Sequence, residues 1–226
     1  MKYDNICPGI FLSRPNRFTA EIEINGQRER CHVKNTGRLR ELLIPGSEVY
    51  VQKSNGVHRK TAYDLISVRR GEKLFNIDSY APNLVFGEFL KSGGLGFECE
   101  KILPEQKYLD SRFDFYFEHS HVPSFAEVKG VTLEENGILR FPDAPTLRGL
   151  KHVKGLMNAA ENGYDTYCIF ILQTCGASAF EPNRAAQNEF AEALKAAAAQ
   201  GVRILAFDCA VTQDEIKVSQ PVKVRL

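Results

Sequence analysis

The spacing of hydrophobic and polar residues differs between the first 80 or so residues and the rest of the chain. Up to about residue 80, short runs alternate apolar and polar residues, which is typical of half-buried β-strands. The run FTAEIEI leads into Asn25-Gly26, and the chain returns through RERCHV. Because Asn-Gly favours a two-residue turn between antiparallel strands, residues 17–34 are predicted to form a hairpin.

Two more short strands are predicted in the same region, over EVYVQK and TAYDLISVRR, with a turn at Ser54-Asn55-Gly56 between them. Before them, NTGRLRELLIPG predicts a short helical turn that ends at Pro45-Gly46. Short, regularly spaced strands with one helical turn are typical of a small β-barrel. We therefore predict an OB-like barrel domain over residues 1–80.

After residue 80 helical patterns alternate with strands. Helices are predicted over residues 80–91, 145–162 and 182–200, and strands over FECEKIL, RFDFYFE and SFAEVKGVTL. DTYCIFILQ and VRILAFDC are almost wholly apolar, as expected of strands buried on both faces. The order α-β-β-β-α-β-α-β predicts an α/β domain with a mixed central sheet over residues 81–226, which makes the whole chain α+β.

Composition narrows the class of protein without naming a partner. The net charge is only +1, so no global electrostatic field points to a polyanion. Residues 1–80 nevertheless hold 14 Lys and Arg against 9 Asp and Glu, whereas the remainder holds 15 against 19. The six cysteines form no C-x-x-C pair, which argues against a zinc knuckle or a thioredoxin-type motif.

The expected location is the cytoplasm. The N-terminal MKYDNICPGIF lacks the apolar core of a signal peptide, and no apolar stretch approaches about 18 residues. Several cysteines lie within apolar runs, which favours buried thiols in a reducing compartment. No membrane contact is expected, and a homodimer is compatible with the sequence.

Three charged residues stand among apolar ones in two neighbouring strand candidates. Asp114 lies within RFDFYF, and Glu127 and Lys129 lie within FAEVKGV. Because side chains alternate along a strand, Glu127 and Lys129 are predicted to point to the same face. A carboxylate and a lysine on a mostly apolar strand are costly without a partner.

This D…E-x-K arrangement has a chemical use. Carboxylates such as Asp114 and Glu127 on adjacent strands can hold Mg²⁺, or Mn²⁺ in its place, and the metal can activate water and neutralise a phosphodiester. Lys129 can then orient the water and stabilise the developing oxyanion. The alternative is an ordinary salt bridge between strands.

Basic residues elsewhere are candidates for phosphate contact. On the helix after Pro145, Arg148, Lys151 and His152 have i, i+3, i+4 spacing and are predicted to share a face, as a phosphate clamp or as a solvated surface. In the first domain, basic and aromatic residues before and after the hairpin suit the way OB folds hold nucleic acid, although a solvated barrel surface explains them equally. These are Arg14, Arg17, Phe18, Arg38 and Arg40.

Several motifs together resemble one known family. RFDF, AEVKGVTL, FPDAPTLRGLKHV, CHVKNTGRLRELLIPGSEVYV and the C-terminal FEPNR to GVRILAF occur in the order and spacing of the sugar fermentation stimulation protein A family. The resemblance covers essentially the whole chain. It implies an OB-like domain followed by a domain of the PD-(D/E)XK nuclease superfamily. It also implies DNA binding and a link to the regulation of sugar (maltose) metabolism.

The resemblance carries residue roles onto matching positions. Asp114, Glu127 and Lys129 correspond to the catalytic D and E-x-K, and Glu88 to an acidic residue on the first helix of the nuclease core. Phe113 replaces the proline that commonly precedes the first acidic residue.

Three functions follow as alternatives. The chain is a Mg²⁺-dependent nuclease acting on DNA, single-stranded or double-stranded, or on RNA; a non-catalytic, weakly specific DNA-binding regulator; or a binder of sugar phosphates or nucleotides. No helix-turn-helix pattern is present to read a specific operator.

Overall fold

A computed structural model describes residues 1–54 and 59–226. The first half forms a closed five-stranded barrel, in the order β3-β2-β1-β4-β5, which a parallel pairing of β3 with β5 completes. A sixth strand, β6, adds to β5 as a hairpin. The strands are β1 Ile6–Asn16, β2 Thr19–Ile24, β3 Gln27–Val33, β4 Glu48–Lys53, β5 Tyr63–Arg70 and β6 Lys73–Asn76.

The predicted hairpin is confirmed, with Asn25 and Gly26 at positive φ values of 51° and 77° in its turn. The helical turn is also present, since the N–H of Leu43 donates to the carbonyl oxygen of Leu39 at 2.8 Å. The turn predicted at 54–56 falls largely outside the described residues. The prediction missed β1, whose segment contains Pro8, Gly9 and Pro15 and pairs with β2 through two register shifts.

The second half is built on a mixed central sheet, as predicted, and this sheet has six strands. The strand order is β15-β14-β12-β9-β8-β7, in which β9, β12 and β14 are parallel and the other neighbours antiparallel. A small sheet, β10-β11-β13, lies beside it. The elements are α1 Ala81–Lys91, β7 Lys101–Tyr108, β8 Ser111–His119, β9 Val122–Val131, β10 Leu133–Glu135, β11 Ile138–Phe141, α2 Leu147–Glu161, β12 Asp165–Leu172, β13 Ala179–Pro182, α3 Arg184–Ala199, β14 Arg203–Val211 and β15 Ile216–Val222.

Each face of the main sheet is covered by helix. Leu90 and other apolar residues of α1 pack with Ile169 on one face, and Leu156 of α2 and Leu194 of α3 pack with Phe170 on the other. This two-sided burial explains why β12 is apolar along its length. No helix among the described residues is long and apolar enough to cross a membrane.

Several short elements differ from the prediction. The strand expected from Phe97 begins at Lys101, because Gly93 and Gly96 at positive φ keep the preceding segment in turns. β6, β10, β11, β13 and β15 were not predicted. Four of them are only three or four residues long, too short to establish a period.

A buried hydrogen-bond network joins the barrel to the sheet. Gln173 follows β12, and its Nε2 donates to Oδ1 of Asn76 at 2.9 Å and to the carbonyl oxygen of Asp78 at 3.0 Å. The backbone N–H of Asn76 donates in return to the carbonyl oxygen of Gln173 at 2.9 Å. The end of β6 is therefore tied directly to the strand that lies beside β9.

Replacing Gln173 by leucine is expected to lower the free energy of unfolding by about 1–3 kcal/mol, because it removes two buried hydrogen bonds. Chemical denaturation measures the change. The matched control is Gln27→Leu on the exposed start of β3, where we expect a change within about 0.5 kcal/mol. Equal effects of the two variants would show that the network does not stabilise the junction.

Candidate functional site

The site lies where β8 and β9 separate. Their antiparallel ladder ends at the pair Phe115 and Ala126. Beyond it, the backbone N–H of Val128 donates to Oδ2 of Asp114 at 2.7 Å, so a side chain replaces the ladder acceptor. Phe113 packs in the core under α2 and Phe115 in the core under α1, so the strand rotates at this point. The fork places a carboxylate between the two cores.

The other oxygen of Asp114 is held from α1. Nδ2 of Asn83 donates to Oδ1 of Asp114 at 2.8 Å. Burial, followed by the negative charge of Glu127, raises the pKa of Asp114 to about 6. Asn83 was not among the sequence candidates, because an asparagine near a helix start is ordinarily a cap. No sequence signal distinguishes Asn83, because its contact with Asp114 depends on where α1 packs against the sheet.

Glu127 is the most deeply buried member of the site, at 2% exposure. Its Oε1 contacts Nζ of Lys129 from the same strand and Nδ1 of His152 from α2. This confirms that Glu127 and Lys129 share a face. Burial alone would raise the pKa of Glu127, but the hydrogen bond from His152 and the charge of Lys129 outweigh it and hold the pKa below its usual value.

The two oxygens of Glu127 are in different situations. Oε1 takes both contacts, whereas Oε2 is buried and has no hydrogen-bond partner among the described residues. A buried carboxylate oxygen without a partner is costly. The arrangement leaves one oxygen free to accept a ligand.

Glu88, which the sequence placed among the site residues, is exposed on α1. Its side chain is 58% exposed, and Oε2 pairs with the N-terminal ammonium of Met1 at 2.6 Å. Together with Asn83 and Asp114 it lines a cavity of about 410 Å³ between α1 and β7. The structure thus brings Asn83, rather than Glu88, into contact with Asp114.

The basic face predicted on α2 is only partly present. Arg148 and Lys151 are exposed, and Nζ of Lys151 lies 3.0 Å from Oδ2 of Asp110. His152, at 5% exposure, instead points inward to Glu127. The prediction that His152 shares an exposed face with Arg148 and Lys151 was wrong. Helical i+4 spacing brings two side chains near each other but does not show which of them faces the core.

One of the residues of the barrel domain predicted to contact nucleic acid, Arg14, is already hydrogen-bonded within the domain. The guanidinium of Arg14 donates to four carbonyl oxygens, those of Arg17, Asn35, Gly37 and Arg38, at 2.7–2.8 Å. Arg14 therefore holds the loop after β3 in place. The prediction that its guanidinium is free to contact phosphate was wrong. The other candidates are exposed and remain predictions: Arg17, Phe18, Arg38 and Arg40.

Across the described ranges 1–54 and 59–226, no group of three or more His, Cys, Asp or Glu side chains is arranged so that it could hold a metal ion by itself. The two carboxylates Asp114 and Glu127 are the oxygen donors that the fork provides. A cation held here would complete its shell with water or substrate, as Mg²⁺ ordinarily does.

Comparison with known proteins covers both halves. A family model described as the SfsA N-terminal OB domain matches residues 12–77, and one described as the sugar fermentation stimulation protein RE domain matches residues 80–215. Sugar fermentation stimulation protein homologs of Desulfitobacterium hafniense strain Y51 and Ruminiclostridium cellulolyticum are 53% and 50% identical over 226 residues, covering 100% of this chain and 99% and 100% of theirs.

A solved structure is similar along the full length. It is that of Pyrococcus furiosus SfsA in complex with Ca²⁺, with 31% sequence identity and a TM-score of 0.88. The match covers 100% of this chain and 98% of that chain. The OB barrel followed by a mixed-sheet domain is thus common to both proteins.

The raised pKa of Asp114 predicts a stability that depends on pH. Because the folded chain binds this proton more tightly than the unfolded chain does, the free energy of unfolding should fall as pH rises from 3.8, the ordinary pKa of aspartate, to about 6. Asp114→Asn removes this titratable group, so without metal the free energy of unfolding of the variant relative to that of the wild type should rise across that window by roughly 2–3 kcal/mol.

Denaturation in chelator, from about pH 4 to pH 7, measures the difference between the two proteins. Subtracting the free energy of unfolding of the variant from that of the wild type isolates the contribution of Asp114. Glu127 contributes in the opposite direction and at lower pH, because its pKa is lowered. A difference that stays constant across the window would contradict a raised pKa at Asp114.

Proposed function

The chain belongs to the sugar fermentation stimulation protein family, and from this membership and the geometry of the fork we propose that it hydrolyses phosphodiester bonds of nucleic acid with the help of a divalent cation. The observation that carries the proposal is the free, buried Oε2 of Glu127 beside Asp114. Two carboxylates that share a buried site repel each other. A cation between them would remove that repulsion and satisfy the free oxygen.

The residues present fit such an ion. Asp114 and Glu127 would hold it, since Mg²⁺ prefers oxygen ligands and is commonly bound by one or two carboxylates and several waters. When bound, it would lower the pKa of a water and neutralise charge on the phosphodiester. The Ca²⁺ in the related Pyrococcus furiosus structure supports a hard divalent cation here. We propose Mg²⁺ or Mn²⁺ as the working ion.

The chain's own groups prepare the site. Asn83 and the N–H of Val128 each occupy one oxygen of Asp114, which fixes the plane of that carboxylate. His152 holds Oε1 of Glu127 from the side of α2 and so fixes the direction of Oε2. Such positioning of metal-binding carboxylates by neighbouring groups is common in metal sites.

Lys129 supplies the positive charge. Its ammonium touches Oε1 of Glu127, and the side chain as a whole is 15% exposed, so Lys129 lies at the border between the buried carboxylate and solvent. From there it can donate a hydrogen bond to an attacking water or to a phosphate oxygen as negative charge develops. A phosphodiester is the substrate class that this combination of carboxylates and lysine suits.

The barrel is proposed to deliver the nucleic acid. Arg17, Phe18, Arg38 and Arg40 are exposed near the loop that Arg14 braces. Arginines that contact phosphates and an aromatic ring that stacks on a base are the means by which OB folds hold strands. The substrate is DNA, single-stranded or double-stranded, or RNA.

A second candidate is a DNA-binding regulator that does not cut, acting in the control of sugar use. The ion pair between Lys129 and Glu127 favours it, because the two charges already neutralise each other without a metal. In this case nucleic acid would bind mainly through phosphates, with a strong dependence on salt.

The deciding experiment is cleavage of labelled DNA and RNA in Mg²⁺ or Mn²⁺. We expect Glu127→Gln and Lys129→Met each to reduce the rate by about 10²–10³-fold, the size of effect seen when a group that stabilises transition-state charge is removed. Lys217→Met on β15, at the opposite edge of the sheet, is the matched control and should leave the rate unchanged.

Binding without cleavage by the wild type in any of these metals would support the regulator instead. Cleavage that survives both site variants would mean that the fork is not the catalytic centre. Circular dichroism of each variant shows whether a lost activity reflects lost folding.

A further inference from the structure

The hairpin formed by β7 and β8 ends close to the site. β7 is an edge strand of the main sheet, and the turn Leu109-Asp110 connects it to β8 between the paired residues Tyr108 and Ser111. Asp114 follows Ser111 by three residues on the same strand, a distance of about 10 Å. Whatever contacts the tip of this hairpin therefore lies near the carboxylates.

Leu109 is an unusual residue for its position. It has a φ of 52°, the left-handed region that favours glycine or asparagine, and the residue is 67% exposed. A bulky residue at positive φ is strained. The folded chain gains little from burying this side chain, so neither local conformation nor the core accounts for leucine at the tip.

One face of the hairpin carries two like charges. Lys107 and Arg112 are paired directly across the ladder, and both are exposed. Like charges directly opposite each other destabilise a sheet. The one acidic partner that either has in the described residues is Glu105, whose Oε2 lies 4.0 Å from Arg112. An anionic partner outside the chain would relieve this repulsion.

The other face borders a groove against α2. Its volume is about 420 Å³, and Leu109, Lys151 and Lys154 line it together with Leu147, which is 82% exposed. Nζ of Lys151 donates to the carbonyl oxygen of Asp110 at 2.8 Å and so fixes the tip to α2. The hairpin thus carries Lys107 and Arg112 on one side and lies beside Lys151 and Lys154 of α2 on the other. Its tip presents Leu109 together with Asp110, whose carboxylate pairs with Lys151 at 3.0 Å.

We propose that this hairpin enters the major groove of double-stranded DNA, with Leu109 against base edges and the flanking basic residues on the phosphates of the two strands. The inference rests on the proposed function, whose substrate it narrows to a duplex. The major groove accepts a two-stranded β-ribbon, and its thymine methyl groups accept apolar contacts. Because leucine forms no hydrogen bonds to bases, the contact discriminates weakly between sequences.

The test compares duplex and single-stranded DNA of equal length by fluorescence anisotropy in Ca²⁺, over a range of salt. The variants are Leu109→Asn and the double change Lys107→Gln with Arg112→Gln. The control is Lys217→Gln with Lys223→Gln, which removes the same charge near the opposite edge of the sheet.

We expect the double variant to weaken duplex binding at least about tenfold and to reduce the slope of log affinity against log salt by about 2. Leu109→Asn should weaken duplex binding about fivefold or more, which is the lower end of the loss seen when the contacts to one base pair are disturbed. Single-strand binding and the control should change little. Both hairpin variants should unfold at the same or higher denaturant concentration, because strain and repulsion are relieved; a purely structural role would lower it.

Duplex binding equal to wild type in both hairpin variants would overturn this inference while leaving the proposed function intact. Unchanged binding together with a shift from dimer to monomer in Leu109→Asn, measured by analytical ultracentrifugation, would assign the surface to a second copy of the chain. Failure of the wild type to bind or cut any nucleic acid would overturn both proposals.

Discussion

The carboxylate of Glu127 lies buried between two nitrogen-bearing side chains, and the geometry of the site depends on this contact. Lys129 reaches Oε1 along the same strand, and His152 reaches it from α2. Removing a charge from water is costly, so the carboxylate is tolerable only because both contacts are made. Since both act on Oε1, the other oxygen is left buried without a hydrogen-bond partner in the part of the chain that the structure describes. The same side chain therefore affects both the stability of the fold, through Oε1, and the proposed binding of a cation, through Oε2.

The surrounding fold holds this side chain in place from several directions. α1 contributes Asn83 to Asp114, and its beginning packs on β9. A Cβ on Gly130, next to Lys129, would lie 2.6 Å from Oε1 of Gln173 and from Cγ of Pro82. Gln173 is also the residue that hydrogen-bonds to the end of the barrel. A displacement of the barrel would thus be transmitted to the strand that carries Glu127 and Lys129.

Local sequence patterns were sufficient to predict a residue's position where that position depends only on its own strand or turn. Alternation placed Glu127 and Lys129 on one face, and the Asn25-Gly26 turn set the register of the barrel hairpin. The sequence was insufficient where the partner comes from a distant element. Arg14 looks like a basic surface residue until the loop after β3 folds over it, and His152 looks exposed until α2 packs on β9. Asn83 shows no charge or motif, and its role depends on where α1 lies relative to the fork.

The most direct test of the account is calorimetric titration of the metal-free protein with Mn²⁺, comparing the wild type with Glu127→Gln. The amide keeps the size of the side chain but removes its charge, and so weakens its oxygen as a ligand. The account predicts one ion per chain for the wild type and an affinity at least about tenfold lower in the variant, the size of loss that follows when a metal site is perturbed. Equal affinity in the two proteins, or no binding by the wild type, would contradict a metal site at the fork.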